Sequence, residues 1–166
     1  MIQGIVQAVI SRYGSLNSPD FAFAAKLLAE GAWEPLVCEL QARLEMEETT
    51  DLNSDVSRVF VVKVGGERVA TLQLSLVGPY GVYFRHAGDV WKEIFLDAAD
   101  DARTSEEAFV FQRCVANGVT LLGLDTLRWP VRLRLFDTDP ERVRLYQALF
   151  SDVDYIPGEF HEAHPT

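Results

Sequence analysis

Residues 58–76 read RVFVVKVGGERVATLQLSL, and this stretch decides the fold. Its first half is rich in Val and Phe, Gly65-Gly66 interrupts it, and its second half alternates leucine with polar residues as far as Leu76. Two apolar runs around a Gly-Gly pair are typical of a β-hairpin, because glycine supplies the positive φ angles of a two-residue turn. The alternation predicts one buried face and one face open to water.

The hairpin continues into a third strand. Gly78-Pro79-Tyr80-Gly81 predicts a turn, and the short run from Val82 to Arg85 predicts a strand after it. The three strands are expected to form an antiparallel meander.

The residues before the hairpin predict three helices. The first has apolar residues at helical spacing from Ile2 to Tyr13 and stops at Gly14. The second begins at Ser18-Pro19-Asp20, where Ser and Asp cap free amides and Pro tolerates the first turn, and it runs to Gly31. The third begins at Pro35, and its predicted outer face carries three charged residues: Glu39, Arg43 and Glu47.

The residues after the meander predict two central helices, two strands and a last helix. Asp89 caps the first central helix, and Thr104 with Glu107 forms a capping box for the second, which ends at Gly118. The remaining elements are strands at 119–124 and 131–136 and a helix opened by Asp139-Pro140 that runs to Phe150.

The predicted order of elements is therefore ααα-βββ-αα-ββ-α. Helices and strands come in runs rather than alternating, which indicates an α+β fold with a mainly antiparallel sheet of about five strands and helices packed on it. We expect a single domain over residues 1–156 and a loose carboxyl-terminal tail at 157–166.

The charge of the chain points to a protein partner. Twenty-five acidic side chains against fifteen basic ones give a formal charge of −10, which repels nucleic acid and anionic lipid but attracts a basic protein. No apolar run is long enough to span a bilayer, so a cytosolic location is expected. Cys38 and Cys114 both fall on apolar helix faces, which predicts buried, reduced thiols.

Two clusters of acids are the candidate partner-binding residues. The first closes the third predicted helix, where the acids oppose the helix dipole, so that stability does not explain them. The second lies in the helix after the meander. Either cluster could instead be a solvated helix face that keeps the protein soluble. The candidates are Glu45, Glu47, Glu48 and Asp51 in the first cluster and Asp97, Asp100 and Asp101 in the second.

The sequence contains no complete catalytic, nucleotide-binding or metal-binding motif. His161 and His164 are three residues apart but fall in the predicted tail, so we assign no metal site. Asp125 follows an apolar run and is expected to form a turn rather than to act in catalysis. Three arginines beside Trp129 are expected on an outward sheet face, although they could form a basic patch for nucleic acid: Arg128, Arg132 and Arg134.

Residues 83–89 read YFRHAGD, with Arg85 and Gly88 in an Arg-x-x-Gly pattern before a predicted helix. This resembles part of the GNAT acyltransferase motif, in which backbone amides at a helix start hold a cofactor pyrophosphate. The resemblance implies an N-acyltransferase that uses acetyl-CoA. However, Val90 stands where the family has a small residue, and Asp89 places a carboxylate where the phosphates approach. We therefore expect no cofactor and no acetyl-CoA binding.

In size, acidity and lack of a catalytic motif, the chain resembles the bacterial immunity proteins that neutralise cognate toxins. The acidic runs at 45–48 and 97–101 carry this resemblance, which implies a non-enzymatic inhibitor of a basic toxin. From Arg58 onward, the predicted order βββ-α-ββ-α is also similar to that of acidic secretion chaperones. A chaperone of this kind should be a dimer with an exposed apolar face, whereas a one-to-one inhibitor should be a monomer, and the sequence leaves this choice open.

Overall fold

The computed structural model describes residues 1–87, 92–97, 102 and 104–158 of the chain. Within them, six helices and six strands follow one another along the sequence. The helices are α1 (Ile2–Tyr13), α2 (Ala22–Ala29), α3 (Glu34–Gln41), α4 (Ser105–Ala116), α5 (Leu124–Leu127) and α6 (Leu145–Leu149). The strands are β1 (Glu45–Glu48), β2 (Ser57–Val64), β3 (Glu67–Ser75), β4 (Tyr80–Ala87), β5 (Lys92–Leu96) and β6 (Thr120–Leu121).

The predicted hairpin is confirmed. Gly65 and Gly66 have φ angles of 60° and 82°, the positive values that a tight two-residue turn requires. The turn joins β2 to β3 as antiparallel neighbours, with Val64 opposite Glu67. The alternating leucines of the second half are all buried: Leu72, Leu74 and Leu76.

A single sheet forms the centre of the described structure. Its strands lie in the order β1-β2-β3-β4-β5, and all of these neighbours are antiparallel. β6 is a short addition that pairs in parallel with the start of β4, with Thr120 opposite Tyr80. The predicted α+β class with a mainly antiparallel sheet is therefore confirmed.

Both faces of the sheet are covered, so the prediction of one wet face is wrong. Leu72 and Leu74 share a buried cluster with residues of α3 and α4, whereas Val82 shares another cluster with residues of α1 and α6 on the opposite face. The polar residues of β3 that point to this second face are buried as well. Ser75 Oγ, for example, donates a hydrogen bond to the Leu149 carbonyl oxygen at 2.7 Å.

The prediction of a helix after Asp89 is wrong. Residues 92–96 form β5, which pairs antiparallel with β4 so that Phe95 lies opposite Phe84, and the two rings are 5.2 Å apart. A short apolar run has no unique period, and here pairing with β4 and aromatic packing decide in favour of a strand. Asp89, Val90, Trp91 and Ala98 lie outside the described residues.

The capping box of the second central helix is confirmed. Thr104 Oγ1 accepts a hydrogen bond from the Glu107 backbone N–H at 3.1 Å, and Glu107 Oε2 accepts one from the Thr104 backbone N–H at 3.3 Å. α4 then runs to Ala116, just before Gly118 with its φ of 76°. The predicted pair of central helices is thus one strand and one helix.

The carboxyl-terminal part contains less regular structure than predicted. In the first predicted strand, Thr120–Leu121 forms the short strand β6, and α5 begins at Leu124, within the range predicted as a strand. The prediction of a strand at 131–136 is wrong. The backbone N–H of Arg134 donates a hydrogen bond to the carbonyl oxygen of Leu16, which lies in a loop and not in a strand. The last helix is only α6, since Arg142 N–H bonds to the Asp139 carbonyl oxygen in a turn ahead of it.

The three amino-terminal helices lie where their signals predict them, but α2 begins only at Ala22, and its N-cap residue makes no capping side-chain hydrogen bond, so the predicted cap by Ser18 is wrong. Gly14 ends α1 with a φ of 75°, Asp20 Oδ1 accepts a hydrogen bond from the Ala22 backbone N–H at 2.9 Å, and Pro35 lies in the first turn of α3. None of the helices in the described ranges combines the length and the apolar character that crossing a bilayer requires.

Candidate functional site

The first acid cluster lies on an edge strand and not at a helix end. α3 stops at Gln41, and Glu45–Glu48 form β1, which pairs only with β2 in the described part of the chain. Glu45, Glu47 and Glu48 are exposed, and we call these three side chains the acidic edge. Met46 packs against the cluster beneath α3, on the face of β1 opposite to Glu45 and Glu47. The predicted opposition to a helix dipole is therefore wrong.

Glu48 has a structural role. Its carboxylate accepts hydrogen bonds from Arg58 Nε at 3.0 Å and from Arg58 Nη2 at 2.8 Å. Arg58 is 8% exposed in its side chain, and its Nη1 also reaches Glu34 Oε2 at 2.9 Å and the Ala32 carbonyl oxygen at 3.0 Å. The hydrogen bond from Arg58 holds the pKa of Glu48 below its usual range. Arg58 thus connects β1, β2 and the start of α3.

Glu47 and Glu45 lie on the opposite side of β1 from Glu48. Glu47 pairs with Lys63 on β2, and the hydrogen bond from Lys63 lowers the pKa of Glu47. Glu45 lies across from Lys63 in the strand register, but its carboxylate makes no hydrogen bond or ion pair with any described residue. Glu45 is therefore the acid of this edge for which the described structure gives no stabilising use.

Asp51 belongs to the loop after β1. Its Oδ1 accepts hydrogen bonds from the backbone N–H of Asn53 at 3.0 Å and from Asn53 Nδ2 at 2.9 Å, while its own N–H donates to Asp55 Oδ2 at 2.8 Å. These bonds form a compact turn, as short polar side chains commonly do. Asp51 therefore organises the loop, and its carboxylate also remains exposed.

Only one member of the second acid cluster can be placed. Asp97 is exposed and follows β5 directly, so the prediction that it lies within a helix is wrong. It lines an apolar groove of about 780 Å³, together with Phe111 and Val115 of α4 and Leu121 of β6. Asp100 and Asp101 lie outside the described residues.

The GNAT resemblance implies a helix start after Gly88, but residues 88–91 lie outside the described residues. The next described element after β4 is the strand β5. Arg85 itself is engaged by Glu107 of α4 through two hydrogen bonds of 2.7 and 2.8 Å. His86 Nε2 lies 2.9 Å from Thr71 Oγ1, and burial lowers the pKa of this imidazole. Gly88 lies outside the described residues.

The remaining candidates do not converge on a catalytic centre. Arg132 and Arg134 are exposed, but in a loop rather than on a sheet face, and Asp125 is exposed in the first turn of α5. Cys38 is exposed, contrary to prediction, because it faces away from the buried side of α3. Cys114 is buried as predicted, and burial raises its pKa to about 12, so it is not a thiolate nucleophile.

Within the described ranges, no three His, Cys, Asp or Glu side chains are grouped so as to hold a metal ion. His161 and His164 lie outside these ranges.

Two carboxylates, those of Asp55 and Asp152, are buried although nothing in the sequence predicts it. Each is 8% exposed, and burial raises the pKa of Asp55, although no acid was expected in a setting that would do so. Both follow polar residues in loops, and the contact that buries them joins residues almost a hundred positions apart, as in the hydrogen bond from Ser151 Oγ to Asp55 Oδ1 at 2.7 Å. A local pattern carries no signal of such a contact.

Comparisons of the chain with models of protein families, with curated proteins and with solved structures found no match.

Proposed function

We propose that this chain is a non-catalytic inhibitor that captures a basic protein through the acidic edge, in the manner of the bacterial immunity proteins that it resembles. The observation that carries the proposal is the outer side of β1, an edge strand whose exposed side chains include three glutamates.

Edge strands suit this task because their outward N–H and C=O groups are free to pair with an added strand. Carboxylates along the edge would attract a segment rich in Lys or Arg and orient it for pairing. Lys63 and Arg58 offset part of the charge, but Arg58 is shared with Glu34. The edge therefore keeps an excess of negative charge for a partner.

The proposal predicts a dependence of association on charge at this edge. A partner captured from the native lysate would be purified, and its association rate would be measured by surface plasmon resonance against the wild-type chain and against Glu45→Gln/Glu47→Gln. Glu30→Gln/Glu141→Gln is the matched control, because it removes the same charge from two exposed acids whose side chains make no hydrogen bond or ion pair with described residues.

The edge variant should associate severalfold more slowly than the control at 50 mM salt. The difference should shrink at 0.5 M salt, where the Debye length falls well below the ~10 Å of 0.1 M salt. Equal rates for the two variants at low salt would reject the acidic edge as the binding surface. A partner whose own activity is unchanged by saturating amounts of this chain would reject the inhibitor function.

An acidic secretion chaperone is the second candidate, and the apolar groove beside α4 favours it. Val115 is 73% exposed there, and chaperones of this kind bind apolar segments of a client. Light scattering distinguishes the two candidates, since the chaperone should be a dimer in solution and the inhibitor a monomer.

A further inference from the structure

Two neighbouring grooves lie where the loop after α1 meets the segment between α5 and α6. Their volumes are about 650 Å³ and about 450 Å³, which is the size range of pockets for organic ligands. Asn17 and Arg134 line both of them, so the two form one surface, which we call the arginine groove. Its lining also includes Phe21, Arg132, Phe136 and Glu141.

The two arginines of this groove have no counter-ion in the described structure. The side chains of Arg132 and Arg134 are exposed and make no hydrogen bond or ion pair with any described residue. Glu141 is the one acid of the lining, so two positive charges stand against one negative charge. Beside the groove, Arg144 Nη1 donates hydrogen bonds to the carbonyl oxygens of Glu141 at 2.9 Å and of Val143 at 3.1 Å, and not to a carboxylate. The guanidinium groups are therefore available to an anion from outside the chain, although the chain has 25 acidic residues.

The backbone that carries these arginines is fixed by hydrogen bonds to other segments. The Val131 N–H donates to the Val143 carbonyl oxygen at 3.1 Å, and the Arg134 N–H donates to the Leu16 carbonyl oxygen at 2.9 Å. Val131 and Leu133, which alternate with the arginines, are buried, so the two arginine side chains point outward. A fixed backbone lowers the entropic cost of binding a ligand.

An exposed aromatic ring adjoins the arginines. Phe136 lines the smaller part of the groove and is 82% exposed, and its ring centre lies 5.2 Å from that of Phe21. Arg134 and Phe136 are two positions apart, so their Cα atoms are separated by at most about 7 Å. Every nucleobase has a π face that stacks on aromatic side chains. One small ligand with an anionic group and a flat ring can therefore contact both residues.

We propose that the arginine groove binds a nucleotide, with its phosphate on Arg132 and Arg134 and its base on the exposed ring of Phe136. The planar fork of a guanidinium group matches phosphate oxygens and donates two parallel hydrogen bonds to them. A single nucleotide suits the site better than a long nucleic acid, whose further phosphates would approach a chain with a formal charge of −10. The arginine groove shares no residue with the acidic edge, so this site is independent of the proposed function.

Adenosine 5′-monophosphate (AMP) is the probe for this site, because it carries one phosphate and one base. Titration into the isotope-labelled protein, followed by NMR, should shift the backbone amide signals of Arg132, Arg134 and Phe136 and should saturate at millimolar AMP or below. Adenosine and inorganic phosphate each carry only one of the two recognised groups, so each should bind at least tenfold more weakly than AMP.

Four variants test the roles of the side chains. Arg132→Gln and Arg134→Gln should each weaken AMP binding at least fivefold, because each removes one guanidinium group from the phosphate. Phe136→Leu removes the stacking face, so it should weaken AMP binding but leave the binding of inorganic phosphate unchanged. Arg68→Gln is the matched control and should bind AMP as the wild type does. Arg68 is exposed on β3, makes no hydrogen bond or ion pair with a described residue and lines neither part of the groove.

Four results would overturn the proposal. The first is the absence of saturable shifts with AMP. The second is equal AMP binding by the wild type and Arg134→Gln, and the third is a loss in Arg68→Gln as large as in Arg134→Gln, which would indicate a general effect of charge. The fourth is binding of inorganic phosphate as tight as that of AMP, because the base would then contribute nothing.

Discussion

Arg85 of β4 and Glu107 of α4 form an ion pair with two hydrogen bonds, Nε to Oε1 at 2.7 Å and Nη2 to Oε2 at 2.8 Å. Glu107 is 4% exposed, and the same carboxylate accepts the backbone N–H of Thr104 in the capping box. One side chain therefore starts α4 and attaches it to the sheet. It also occupies the arginine on which the acetyl-CoA resemblance depends.

Replacing Glu107 with Gln should lower the free energy of unfolding by about 2–4 kcal/mol, because the mostly buried Arg85 would lose the negative charge of the carboxylate to which it makes two hydrogen bonds. The amide can still accept from Thr104, so the loss would report the ion pair more than the cap. Urea denaturation measures it. Glu106→Gln, at a partly exposed neighbouring position, should change the free energy by less than about 0.5 kcal/mol. Equal losses in the two variants would contradict the structural role of the pair.

Gly123 is packed against Asp97, and an added methyl group has no room. A Cβ at Gly123 would overlap the Asp97 carboxylate and would lie 2.8 Å from Asp97 Cβ. Gly123→Ala should therefore cost about 1–3 kcal/mol. Gly4 in α1 has nothing within 4 Å of such a Cβ, so Gly4→Ala should stabilise the protein by about 0.5–1 kcal/mol. Thermal denaturation should give shifts of opposite sign, and shifts of the same sign would contradict this packing.

The amino-terminal helices and the hairpin were predictable because their signals are local. Gly14, Pro35 and Gly65-Gly66 each act through their own backbone conformation, and Thr104 with Glu107 caps a helix within one turn. No later tertiary contact changes these preferences.

The errors occur where partners distant in sequence decide the structure. Residues 92–96 form a strand because they pair with β4. Ser75 can be buried because its hydroxyl donates a hydrogen bond to the Leu149 carbonyl oxygen. The sequence predicts the cluster of acids at 45–48, but it does not predict that they lie on a strand, because that strand forms by pairing with β2. The burial of Asp55 was not predicted, since the hydrogen bond that it accepts from Ser151 joins residues almost a hundred positions apart.

His86 should make stability depend on pH in the neutral range. Burial first, and then the positive charge of Arg68, lower the pKa of His86 below its usual 6.5. The unfolded chain therefore binds the proton more readily, so the free energy of unfolding should fall as the pH drops below about 6.5 towards the folded-state pKa. Urea denaturation from pH 8 to 5.5 should show a smaller fall for His86→Gln, which can keep a hydrogen bond to Thr71. Parallel curves for the two proteins would reject this assignment.

Glu45 and Glu48 should differ in their effect on stability, although both are exposed acids of the same strand. Glu48→Gln should destabilise the protein by about 1–3 kcal/mol, because the nearly buried Arg58 would lose a charged partner that now makes two hydrogen bonds to it. Glu45→Gln should leave the free energy of unfolding within about 0.5 kcal/mol of the wild type, since Glu45 contacts no described cation.

Urea denaturation at pH 7 and at pH 3 measures both variants. The pKa of Glu48 is lowered in the folded protein, so the stability that its ion pair provides is present above the usual pKa of 4.5 and is lost as the pH falls through the lowered value. The gap between Glu48→Gln and the wild type should therefore narrow at pH 3. A large loss of stability for Glu45→Gln at pH 7 would mean that this acid also serves the fold, and the argument that the acidic edge is retained for a partner would lose its clearest member.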